Sequence, residues 1–143
     1  MNSYNKADER RKIIMDHYTN PRNKKAVDKN NFVEVLSDYC VDKLHLTLVV
    51  ENDLVKDAYF DGEGCAVFYS STDIMIDKIR GMKKDQILDL LLEYKKMIFQ
   101  SKKYDKKKLG KLIVFEQVSS NFNRTHCAEM IETAIKKYFE LKK

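Results

Sequence analysis

Residues 43–62 read KLHLTLVVENDLVKDAYFDG, and no other stretch constrains the fold as tightly. Leu44, Leu46 and Leu48 recur at every second position, the period of a strand with one face buried. Asn52 and Asp53 then form a plausible hairpin turn, and LVKDAYFDG resumes as a second strand. FVEVLSDY at 32–39 reads as another strand. From Cys65 to Arg80 the period becomes helical. Val67, Phe68, Ser71, Ile74, Met75, Lys78 and Ile79 stand at three- and four-residue spacings, and Gly81 suits the position just past a helix end. Asp85 is expected to cap the next helix, in which Ile87, Leu88, Leu91, Tyr94 and Ile98 share a face. Asp8 is expected to cap a first helix through about Tyr18, stopped by Pro21. The strongest helix runs from Thr125 to Leu141, with Met130, Ile131, Ala134, Ile135, Tyr138 and Phe139 as its stripe. The expected fold class is α+β: a three-stranded antiparallel sheet packed by helices, with a long C-terminal helix.

The chain has 143 residues, which suits a single domain over 1–143. Apolar residues make up 43% and charged residues 34%, the balance of a globular chain rather than a disordered one. No apolar run approaches the roughly 18 residues of a membrane helix, and MNSYNKADERRKII lacks the apolar core of a secretory signal. The cytoplasm is therefore the expected location, with no membrane partner. The net charge of +5 comes from lysine. Nucleic-acid binding would want aromatic residues spaced among the basic ones. KKYDKKK offers one tyrosine and reads as solvated surface. The lysine-rich segment at about 101–122 is the least clear; within it, LIVFEQV reads as a short helix or an extended piece.

Three cysteines without an export signal read as reduced thiols or thiolates. Cys40 and Asp42 lie two apart, so on an extended chain both leave one face. Cys65 follows Gly62 and Gly64 at a helix start, where free N–H groups and the dipole favour a thiolate. Cys127 is read in the first turn of the last helix, beside Arg124 and His126, both placed to favour its thiolate. Three thiolates and one carboxylate suit tetrahedral zinc, and His126 is a substitute ligand. The alternative is three buried free thiols. No CxxC knuckle is present, and spacing alone does not choose between these.

Four segments together resemble the U-type iron–sulfur assembly proteins, the NifU N-terminal domain family that includes SufU and IscU. HYTNPRN at 17–23 is similar to the family's Tyr-x-x-Pro-Arg-Asn segment. CVD at 40–42 is similar to its Cys-Gly-Asp, and GEGCAVFYSS at 62–71 to its Gly-x-Gly-Cys segment. RTHCAEM at 124–130 is similar to the last cysteine at the start of the final helix. The long spacing from Cys65 to Cys127 resembles the SufU branch, which carries an extra segment before the last cysteine; about 101–122 would be part of it. The chain departs from the family at Val41, where the family has glycine, and at Lys24 and Lys25, where it tends to place one. His126 is as in the IscU branch, and no Leu-Pro-Pro-Val-Lys stretch is found.

The resemblance implies a zinc site on Cys40, Asp42, Cys65 and Cys127, with His126 and Arg124 as auxiliary residues. Gly62 and Gly64 would let the backbone bend so that Cys65 faces the other ligands. It implies a PLP-dependent, SufS-like cysteine desulfurase as partner. A histidine of the desulfurase would displace Cys40 from zinc, and Cys40 would then accept the outer sulfur of the persulfide. Downstream apo-proteins would be the acceptors. Two further functions are weighed: a scaffold that assembles a transient [2Fe–2S] cluster on the same ligands, and a non-catalytic domain with structural zinc. For Tyr18, Pro21, Arg22 and Asn23, the family adds a docking surface to a plain reading of helix termination and a turn.

Overall fold

The computed structural model describes residues 7–38 and 42–141. Helix α1 (Ala7–Thr19) precedes a sheet of β1 (Val33–Leu36), β2 (Lys43–Glu51) and β3 (Leu54–Glu63). Helices α2 (Ala66–Ile79), α3 (Lys84–Phe99) and the short α4 (Lys106–Leu109) follow. Two 3₁₀ turns, Gly110–Phe115 and Val118–Ser120, lead into α5 (Phe122–Leu141). The sheet order is β1-β2-β3, antiparallel throughout. The expected α+β class and long C-terminal helix are both present.

The hairpin forms as its pattern dictates. Asn52 and Asp53 take φ of +53° and +63°, the left-handed pair that matches strand twist in a two-residue turn. Leu44 pairs with Gly62, Leu46 with Phe60 and Leu48 with Ala58. The three leucines and Phe60 are fully buried beneath the helices. Thr47, on the opposite face, is also buried. Its hydroxyl donates to the Asn31 carbonyl at 2.8 Å and accepts from the Asp28 N–H at 3.1 Å, so the loop before β1 covers that side.

Several boundaries differ from the sequence reading. Strand β1 ends at Leu36, and the Ser37 N–H donates to the Asp42 carbonyl at 3.1 Å. Asp8 lies inside the first turn of α1 instead of capping it. Lys83, not Asp85, is the N-cap of α3; the Gln86 side chain accepts from the Lys83 N–H at 2.9 Å, so a glutamine three residues on does the capping. Helix α5 starts at Phe122, three residues before the expected Thr125, because the Asn121 carboxamide oxygen accepts from the Arg124 N–H at 3.1 Å.

The lysine-rich segment is more than solvated surface. Leu109, Leu112, Ile113, Val114, Phe115 and Val118 all enter the common core. The LIVFEQV stretch is thus helical in short 3₁₀ pieces, not extended. One of its lysines reaches further. The Lys111 ammonium donates to Nε2 of buried His17 at 2.6 Å, and His17 Nδ1–H donates to the Asp73 carboxylate at 2.6 Å. Asn23 donates to Asp73 through its N–H (2.8 Å) and its carboxamide (3.0 Å), and to Asp77 at 3.0 Å. Arg80 donates to the Asn23 carboxamide oxygen at 2.6 Å. The ends of the HYTNPRN segment, His17 and Asn23, therefore clamp α1 onto α2.

Candidate metal centre

The end of β3 and the start of α2 bring the site together. Gly62 has φ of +155°, and a Cβ there would lie 2.1 Å from the Lys43 carbonyl oxygen. Glycine lets β3 approach β2 at the point where the chain turns toward Cys65. At Gly64 a Cβ would lie 2.4 Å from the buried Phe68 ring and 3.0 Å from the carboxyl carbon of Asp42. The missing side chain is what admits Asp42 beside Cys65. The Tyr69 hydroxyl donates to the Gly62 carbonyl at 2.8 Å and holds this bend against α2. Sequence reading missed that tether, which shows only as a tyrosine one helical turn beyond Cys65.

Cys65 is the exposed N-cap of α2, with extended backbone. Its pKa is lowered to about 6, chiefly because the Cys127 thiol donates to it, with help from the first-turn amides of Phe68 and Val67. Burial and the Asp42 charge oppose this shift. Cys127 behaves in the opposite way. It is 4% exposed, and its pKa is raised by donation to Cys65, by burial and by donation to Asp42. Its Sγ donates to an Asp42 carboxylate oxygen at 3.0 Å. The expectation of a Cys127 thiolate favoured by Arg124 and His126 is therefore corrected for the metal-free site. The helix begins at Phe122, so Cys127 falls in its second turn, beyond the free amides. Its proton sits between two anions, Cys65 and Asp42.

Asp42, Cys65 and Cys127 form one group, with their donor atoms all within 4.8 Å of one another. Two sulfurs and a carboxylate oxygen at that separation fit the donor chemistry of zinc. Cys40 lies outside the described residues. His126 is not in this group; its Nδ1 stands 3.2 Å from Glu129, and its ring packs edge-to-face on Phe122 (4.5 Å) and Phe99 (5.9 Å). Arg124 is exposed on the same turn of α5. A second cluster, His17, Asp73 and Asp77, likewise brings its donor atoms within 4.8 Å of one another. Its donor atoms are already engaged by Lys111, Arg80 and Asn23, and it acts as a clamp between α1 and α2.

Both fold and site point to one class. The family described as the NifU-like N terminal domain matches residues 9–143, and the chain belongs to it. The chain is 34% identical over 128 residues to a Bacillus subtilis protein named zinc-dependent sulfurtransferase SufU, covering 89% of this chain and 86% of that one. It is 28% identical over 115 residues to the iron–sulfur cluster assembly scaffold protein IscU of Thermotoga maritima, covering 80% of each. A crystal structure from Fervidobacterium islandicum AW-1, described as a candidate SUF-system scaffold, aligns with a TM-score of 0.82 at 25% identity, over 87% of this chain and 92% of that one. Among the described residues no helix is long and apolar enough to cross a membrane.

Proposed function

We propose that the chain is an iron–sulfur cluster assembly protein that accepts sulfur from a cysteine desulfurase at a zinc site formed by Cys40, Asp42, Cys65 and Cys127. The observation that carries the reading is the convergence of Asp42, Cys65 and Cys127 within 4.8 Å from three separate parts of the chain. The similarity to the zinc-dependent sulfurtransferase supports it. Zinc bound there would keep the thiols deprotonated and oriented. Cys40 is the acceptor. Its thiolate attacks the outer sulfur of the desulfurase persulfide; the new S–S bond forms on Cys40, the old one breaks, and the desulfurase cysteine leaves as a thiolate. Asp42 and Cys65 keep the bend at the β3–α2 junction compact around that exchange. Cys127, anchored in α5, fixes its buried side.

The similarity to IscU scaffold proteins favours a second reading, assembly of a transient [2Fe–2S] cluster on the same residues for transfer to apo-acceptors. Elemental analysis of anaerobically purified wild type and Asp42→Ala separates the two. About one zinc per chain, lost in the variant, is the expected result. Iron with matching sulfide would move the assignment to scaffolding, and no metal in either sample would overturn both. Under the first reading Cys40→Ala keeps its fold and loses all stimulation of a SufS-like desulfurase.

A further inference from the structure

The face shared by α3 and α5 carries apolar side chains that the core does not use. Leu92 is 52% exposed, Phe99 37% and Phe122 61%. They are not scattered singly. Phe99 lines two grooves, one of 360 Å³ that begins at Leu92 and one of 300 Å³ that continues to Phe122 and His126. The His126 ring contacts both Phe99 and Phe122, which joins the grooves into one surface ending one residue from Cys127. A contiguous apolar patch of this kind marks an interaction site. Leu92 and Phe99 stand two helical turns apart on α3, the repeat at which a partner helix presents anchors on one face.

Charge selects the occupant. Lys95, Lys96 and Lys102 line the first groove, and among the described residues no carboxylate lines either groove. Lys96 pairs with Glu93 at 3.0 Å and Lys95 with Glu129 at 3.7 Å, while Lys102 has no carboxylate partner among the described residues. A second copy of the chain would set this lysine rim against itself across a twofold axis. We infer that the α3–α5 face docks an acidic amphipathic helix of a protein partner, its apolar anchors in the two grooves and its carboxylates on Lys95, Lys96 and Lys102. This inference goes beyond the metal reading and stands without it.

The test uses the full chain and a fluorescein-labelled peptide of about 16 residues, long enough to form helix on binding, with Leu and Phe at helical spacing and Glu elsewhere. Fluorescence anisotropy should show saturable binding that weakens with added salt. Leu92→Ser and Lys102→Glu should each weaken it roughly tenfold, as for anchors in other interfaces, with unchanged circular dichroism. A peptide with Lys in place of Glu should not bind. The inference is overturned if the acidic peptide does not bind, or binds both variants as well as wild type. It is equally overturned by binding to phosphatidylcholine–phosphatidylserine vesicles in preference to the peptide. A dimer in sedimentation that Leu92→Ser dissolves would also overturn it, since a second copy would then cover the face.

Discussion

A methyl group at Gly64 would collide with Phe68 and press on the Asp42 carboxyl, so this position sets how closely Asp42 and Cys65 approach. Gly64→Val should retain zinc roughly ten- to a hundredfold less tightly in competition with a chelator, the usual cost of disturbing groups that orient metal ligands. Unchanged retention in a folded variant would refute that role. The metal-free site gives a pH prediction. Cys65, held at a pKa of about 6, is mostly thiolate at neutral pH, and its alkylation should rise as pH passes upward through that value. In a Cys40→Ser background, peptide mapping should find Cys65 modified at pH 7 and Cys127 spared. Cys127→Ala removes the S–H donor and should move the Cys65 midpoint upward; a midpoint that stays put would show that the helix amides alone are responsible. At this scale the sequence made Asp42, Cys65 and Cys127 readable, because each carries its own local context. It did not reveal which sulfur keeps its proton. That depends on burial and on a contact between residues 85 positions apart.

Among the elements, the hairpin and α2 were legible because alternation, turn residues and helical spacing agree locally. Helix α5 was legible along its stripe but not at its start. Asn121 is an ordinary capping residue, and the run Asn-Phe-Asn-Arg after two serines resembles a loop as much as a helix entry. The segment at 101–122 misled because its lysines precede a run whose burial depends on packing against other helices. The α1–α2 clamp was invisible, since nothing local in HYTNPRN names Asp73 as its partner. Asp73 is fully buried and bonded to His17 and Asn23. Asp73→Ala should therefore cost about 3–5 kcal/mol in chemical denaturation, the range for removing one member of a buried charged network. A loss below about 1 kcal/mol, the worth of an ordinary hydrogen bond, would mean that α1 docks chiefly through apolar contacts.

Over the whole molecule, one core joins the sheet, α2, α3, the 3₁₀ turns and α5. The candidate metal centre sits at the edge of that core: Cys65 is exposed, while Asp42 and Cys127 are buried behind it. Family membership was legible from the four motifs. The acidic-helix docking face was not, because Leu92, Phe99 and Phe122 come together only once α3 and α5 pack. The His17–Lys111 contact spans 94 residues, and the Arg10–Glu116 pair spans 106. On a translating ribosome, α1 is made long before the residues that complete its seat. At ordinary elongation rates of 5–20 residues per second, His17 waits roughly 5 to 20 s for Lys111 to be added. The nascent chain can therefore clamp α1 onto α2 as soon as Asp73 has been added, while the contacts to Lys111 and Glu116 lock that clamp only when those residues arrive.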